Sequence, residues 1–224
     1  MRSPLAAIAL GLGLVWAPAL AAAGEVRGVV RFHGTPPAVP ALETTKDRAA
    51  CGDAAPDETL LVSEGGGLAN VVVRIAAPGA PAAPREARLD QRRCRFVPHV
   101  LAVPQGSRLT LLNGDPVLHG VRGTTGAATV FDVPTPGPDP RITRPLSRPG
   151  PVRVGCDVHG WMNAWVVVVD GPYFAVSDAS GAFTVAGVPP GEHAAIAWHE
   201  RLGERVAKVT VPAEGPATLE IAYP

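Results

Sequence analysis

The sequence predicts an all-β protein, and three observations lead there. Glycine and proline each supply 25 of the 224 residues, a density that breaks long helices. Beyond the first 23 residues the apolar positions gather in short β-branched runs: Val71–Val73, Leu109–Leu112, Trp165–Val169 and Val206–Val211. Turn chemistry closes several of them, as at Pro104-Gln105-Gly106, Ala179-Ser180-Gly181 and Pro189-Pro190-Gly191. Short strands spaced by such turns build sandwiches or barrels.

The chain opens with Arg2, an apolar run from Leu5 to Leu20, and then small residues. That is the layout of a secretory signal peptide, over residues 1–23, with cleavage choices around Ala21 or Ala23. A transmembrane anchor is the rival reading, but Gly11, Gly13 and Pro18 interrupt the run and it is short for a bilayer. Removal leaves about 200 residues from Gly24 onward, enough for one large or two small cores, with no membrane span in the mature chain. The expected location is periplasmic or secreted.

Lysine plus arginine and aspartate plus glutamate each number 20, a balance that argues against a nucleic-acid partner. Arg92, Arg93 and Arg95 form a small basic cluster, read as a solvated strand face. Leu42 to Ala50 allows one helical turn or two. Ala76–Glu86 is the one stretch resembling a linker. Asp132 to Pro151 carries seven prolines without periodicity and is expected to form a long ordered loop.

Export places three cysteines in an oxidising compartment. Two can pair; the third is then a metal ligand or a reactive group. The surroundings of Cys156 favour metal. Cys156-Asp157-Val158-His159-Gly160-Trp161-Met162 lies between a short strand, Val152–Val154, and a long one from Trp165. Upstream, His119 follows the strand Arg108–Leu112 and the turn Asn113-Gly114-Asp115-Pro116. Copper that changes oxidation state needs a soft thiolate, imidazoles and a geometry acceptable to both states. A Cys-x-x-His alone is weak evidence, a buried cysteine is usually structural, and Met162 alone would be core filling. Taken together, Asn-x-Asp-x-x-x-His followed by Cys-x-x-His-x-x-Met between strands points to copper. Zinc competes for the same cysteine and histidines, but a structural zinc site would prefer more thiolates and has no use for a thioether. No Cys-x-x-Cys-His occurs, which excludes a c-type haem, and no hydrolase motif is present. The chain is therefore not expected to be an enzyme.

Through these motifs residues 86–170 resemble the cupredoxins, the plastocyanin and amicyanin family, and the spacing after Cys156 is most similar to that of amicyanin. The resemblance implies an eight-stranded Greek-key barrel, a type 1 (blue) copper site and one-electron transfer. It implies that His119 is the upstream imidazole, Cys156 the thiolate, His159 the solvent-edge imidazole and Met162 the weak axial sulfur. Many cupredoxins place asparagine after the first histidine to tie the ligand loops together; this chain has Gly120. His33, His193 and His199 have no partner at ligand spacing and are read as strand or turn residues. His99, near the start of a strand at the metal end, is left between a surrounding polar residue and a ligand neighbour. Trp161 is either part of an apolar docking patch or a loop anchor.

The flanks resemble the transthyretin-like, carboxypeptidase-regulatory-type sandwich. The matching residues are Gly24–Val30, Ala69–Val73, Ser177–Phe183 and Val188–Gly191 followed by the strand Ala194–His199. By this resemblance the module carries no catalytic residues. The expected organisation is one discontinuous sandwich, residues 24–82 plus 172–224, with the cupredoxin of residues 86–170 inserted in it or packed on it. The alternative is a longer cupredoxin followed by a separate C-terminal domain. With Cys156 claimed by the ligand pattern, Cys51 and Cys94 are expected to form a disulfide. The leading function is a periplasmic electron carrier with a redox partner protein. Copper delivery without redox turnover and a surface-binding module with a vestigial site are the alternatives.

Overall fold

A computed structural model describes residues 24–224; the signal-peptide reading of residues 1–23 lies outside them. Among the described residues the structure is all-β apart from one helical turn, Arg48–Cys51. Strands from both ends of the chain make the first pair of sheets. Gly24–Phe32 lies between Ala182–Val188, antiparallel, and Ala217–Tyr223, parallel. Val72–Ala76 lies between Phe174–Val176 and Gly191–His199, and Gly203–Val211 completes that sheet. Val26, Val30, Leu68, Val71, Val73, Val185 and Ile221 are among the residues enclosed between them.

The middle of the chain encloses a second core. A five-stranded sheet runs Ala128–Thr135, His119–Thr125, Gly150–Cys156, Asn163–Val169, Val100–Pro104, and a four-stranded one runs Arg141–Pro145, Arg108–Leu112, Glu86–Gln91, Phe96–Val97. Leu89, Phe96, Leu109, Leu111, Val121, Val154 and Val166 are buried between the two sheets. The apolar run Trp165–Val169 follows from burial on both faces. Val166 and Val168 point into this core, while Val167 and Val169 join Val72, Val100 and Ala102 in a seam against the first sandwich. A strand covered on both sides has no polar alternation to show. Glu200 closes the seam from the sandwich side, accepting a hydrogen bond from Trp165 Nε1 at 2.8 Å and pairing with the buried His99.

The proline-rich stretch is not a loop. It contains the end of Ala128–Thr135, the whole of Arg141–Pro145 and the start of Gly150–Cys156. Its prolines are tolerated because they sit where no ladder hydrogen bond is lost. Pro134 and Pro145 lie on strands at sheet edges, and Pro151 precedes the part of its strand that pairs with His119–Thr125. The segment Leu42–Ala55, placed with the sandwich by sequence order, lies against the second core. The Cys51–Cys94 disulfide holds it there, and both cysteines are buried in that core.

Two expectations follow from this packing. A fragment of residues 172–224 lacks Gly24–Phe32 and Val72–Ala76, the strands with which Ala182–Val188, Ala217–Tyr223 and Phe174–Val176 pair in the two sandwich sheets. It should show no cooperative thermal transition, since what remains is little more than a hairpin; a cooperative calorimetric transition in that fragment would contradict the interleaved arrangement. The second concerns His199, buried with its Nδ1 accepting from the Arg201 amide at 3.2 Å and its ring near that of Tyr223. Burial pushes its imidazole down to about 4, with Arg201 and His99 acting in the same direction and Glu200 opposing. The native state therefore excludes a proton that the unfolded chain binds near pH 6.5. Stability from this group is complete above that pH and is lost as the pH falls toward 4, by about 3 kcal/mol in all. Urea midpoints should fall more steeply between pH 7 and 5 for the wild type than for His199→Gln; parallel curves would contradict the assignment.

Candidate metal centre

The upstream histidine is placed by a turn that Asn113 organises. Its Nδ2 donates to the carbonyls of Val117 and Thr135, each at 2.8 Å, and its Oδ1 accepts the Asp115 amide at 2.9 Å. Such side-chain-to-backbone bonds shape the turn in place of a ladder. The chain therefore leaves Arg108–Leu112, reverses, and begins its next strand at His119 with that side chain fully buried.

Cys156 ends the strand Gly150–Cys156, which pairs antiparallel with His119–Thr125 so that Cys156 lies opposite Val121. Antiparallel pairing thus brings the histidine-bearing start of one strand and the cysteine-bearing end of its neighbour to the same end of the core. Beyond Cys156 the chain turns tightly, with the Met162 amide donating to the His159 carbonyl at 3.0 Å and the His159 amide to Cys156 Sγ at 3.4 Å. Gly120 does not leave the two loops untied. Its carbonyl accepts the Asp157 amide at 2.9 Å, and Arg122 pairs with Asp157 at 3.1 Å.

Three of the four sequence-predicted donors converge. His119 Nδ1 and His159 Nδ1 are 2.9 Å apart, and Cys156 Sγ is 3.7 and 3.8 Å from them. Met162 is buried in the same core at the end of the same turn. Each imidazole is oriented from its far side. His119 Nε2 donates to Asp115 Oδ2 at 3.0 Å, and His159 Nε2 donates to Asp47 Oδ2 at 2.9 Å. With both Nε2 protons so engaged, the two Nδ1 lone pairs and the sulfur point at one another in a buried space. That arrangement repels itself unless a cation sits among the three atoms.

The spacing fits a metal ion. Metal–nitrogen bonds of about 2.0 Å and metal–sulfur bonds of about 2.3 Å at a trigonal angle put nitrogen and sulfur about 3.7 Å apart, as Cys156 stands to both rings. The 2.9 Å between the two Nδ1 atoms corresponds to a narrower nitrogen–metal–nitrogen angle of about 93°. One thiolate, two imidazoles and a thioether in reserve suit copper better than zinc. Burial holds His119 below the usual imidazole value despite the opposing effect of its hydrogen bond to Asp115, with His159 lowering it further. A neutral imidazole is the form that ligates.

Other expectations meet the structure less evenly. His159 is fully buried, not at a solvent edge, because the segment carrying Asp47 lies over it. Trp161 is a loop anchor: its Nε1 donates to the Cys94 carbonyl at 3.2 Å and its ring packs beside that of His159. His99 is engaged by Glu200, His193 lies 2.8 Å from the Pro189 carbonyl, and His33 is exposed. Cys51 and Cys94 are paired, and Cys156 is the free thiol.

Sequence reasoning gave neither of the two aspartates a role, although Asp115 stands in the Asn-x-Asp-x-x-x-His motif. Asp115 accepts the amides of Arg93 and Cys94, at 2.6 and 2.8 Å, as well as the His119 proton, so it joins the ligand turn to the disulfide. Its position four residues before His119 was a readable signal. Asp47 had none, being 112 residues from His159.

No family model matches the chain, and no curated protein matches it. Among solved structures, a purple cupredoxin from Nitrosopumilus maritimus is 20% identical over 37% of this chain and 99% of its own, with a TM-score of 0.33. A copper-containing nitrite reductase from Thermus scotoductus is 20% identical over 43% of this chain and 25% of its own, with a TM-score of 0.36. Amicyanin from Paracoccus versutus is 13% identical over 43% of this chain and 97% of its own, with a TM-score of 0.34. What the centre can do is read from its donor atoms.

Proposed function

We propose that the chain is an exported blue-copper protein that carries single electrons to a redox partner protein. The observation that carries this reading is the buried convergence of His119 Nδ1, Cys156 Sγ and His159 Nδ1. When bound, copper supplies a one-electron couple; the protein's part is to hold two imidazoles and a thiolate in one geometry for both oxidation states. Asp115 and Asp47 fix the ring orientations, as carboxylates behind metal-bound histidines do. Met162, lying in the same core, would supply a fourth, weaker sulfur donor.

Burial of all the donors favours a carrier over the delivery alternative, because a metal handed to another protein needs an approach along at least one ligand. The same closure leaves a substrate no path along either imidazole, and we assign no catalytic residue. The Cys51–Cys94 disulfide suits a periplasmic or secreted protein. Among the described residues no helix is long and apolar enough to cross a membrane. The flanking strands we read as a transthyretin-like, carboxypeptidase-regulatory-type scaffold, residues 24–82 plus 172–224, into which the copper domain of residues 86–170 is inserted. Its seam at Val72, Val100 and Val167 and the Glu200 clasp would hold the copper end at one orientation.

A redox titration of the copper-loaded chain tests the carrier reading. The visible colour should bleach and return reversibly, with one electron taken up per copper. Copper that reduces and then dissociates would favour delivery instead.

A further inference from the structure

We propose that Asp47 is the positioning residue of His159 and, with the strap that carries it, the cover that takes this imidazole's edge out of solvent. The inference rests on the copper reading above and deepens it. The strap is the two-stranded ribbon Leu42–Glu43 with Ala54–Ala55 and the turn between them. Thr44, fully buried, closes the strap on itself by a hydroxyl bond to the Gly52 carbonyl, and Arg48 Nε donates back to the Thr44 carbonyl at 2.9 Å. The Cys51–Cys94 disulfide fastens the strap to the loop whose amides hold Asp115. One covalent link therefore sets the position of both carboxylates that orient the imidazoles.

Asp47 itself is used in an unusual way. It sits at the N-cap of Arg48–Cys51, where aspartate ordinarily accepts a hydrogen bond from the helix amides. Here its carboxylate makes no cap bond, and its backbone is left-handed, with φ of 51°. The conformation is one that few non-glycine residues adopt, aspartate among the more frequent. The side chain instead accepts the His159 Nε2 proton at 2.9 Å. It is about one-third exposed while His159 is wholly buried, so the strap puts a carboxylate at the surface position above that ring. The bond selects the tautomer with Nδ1 free to face Cys156 and His119, and the negative charge stabilises the more positive oxidised metal.

The test uses the full chain loaded with copper, with Asp47→Ala and Asp47→Asn beside the wild type. The wild type should show a slowly exchanging His159 Nε2 proton in the nuclear magnetic resonance spectrum of its reduced form. Asp47→Ala should lose that protection, release copper to a chelator at least tenfold faster and bind oxidised copper about tenfold more weakly. If reduced-copper affinity is unchanged, that loss raises the reduction potential by about 59 mV. Asp47→Asn, which keeps an acceptor oxygen without the charge, should retain the slow proton and slow release but share part of the rise in potential. If Asp47→Ala merely lowered the melting temperature and left potential, proton exchange and copper release unmoved, Asp47 would be structural and the proposal overturned. If the wild type gave no thiolate-to-copper absorption, the copper reading would fail first, and this inference with it.

Discussion

Replacing Cys156 with alanine is expected to remove the intense visible absorption of the copper-loaded protein and leave the fold in place. The cause is specific to the sulfur. Strong visible charge transfer to oxidised copper requires the thiolate, and Cys156 is the one free cysteine among the described residues. His119 and His159 would still offer two imidazoles, so the variant should bind copper weakly and be pale. The fold should survive because the backbone of Gly150–Cys156 is held by pairing on both sides. Circular dichroism and the visible spectrum, measured on the same sample, separate the two effects. A Cys156→Ala protein that kept the wild-type colour would contradict the ligand assignment, and one that did not fold would show Cys156 to be structural as well.

The second large effect is expected from the double substitution Cys51→Ala and Cys94→Ala. The bond closes a loop with a sequence separation of 43, which in the chain-entropy picture stabilises the folded state by about 4 kcal/mol. For a chain of this size that corresponds to a fall in melting temperature of roughly 8–16 °C. The consequence should extend to the metal centre. Without the staple, the pairing of Leu42–Glu43 with Ala54–Ala55 and the Thr44 and Arg48 bonds keep the segment's own shape, while the hydrogen bond that ties it to the metal end is that between Asp47 and His159. Local opening should then expose His159 before the sheets unfold, and a chelator should remove copper faster than from the wild type. A loss below about 1 kcal/mol, with copper release unchanged, would contradict the role given to the bond.

Some of this centre is legible in the chain because its parts are close in sequence. Cys156, His159 and Met162 occupy one turn, and His119 needs only the pairing of its strand with Gly150–Cys156 to meet them. Asp115 was legible too, four residues from the histidine it orients. Asp47 was not, because its place depends on a disulfide and on packing between segments 112 residues apart. The burial of His159 follows from the same contact and was hidden with it. The strands around Pro134, Pro145 and Pro151 were concealed by composition. A proline on an edge strand, or on a stretch where a strand has a neighbour on one side only, need cost no ladder bond, and one sequence does not reveal which strands are edges. Interleaving of the flanks was suggested by turn residues at Ser177–Gly181 and Pro189–Gly191. The apolar seam was visible only as the unbroken run Trp165–Val169, whose second covered face belongs to the sandwich.

The most direct measurement of the central claim is the combined visible and paramagnetic-resonance spectrum of the wild-type chain loaded with one equivalent of oxidised copper. A site built from His119, Cys156, His159 and Met162 predicts an intense visible band and a narrowed copper hyperfine pattern, both caused by spin shared with the Cys156 sulfur. A pale solution with the wide hyperfine pattern of copper bound only by nitrogen and oxygen would contradict it.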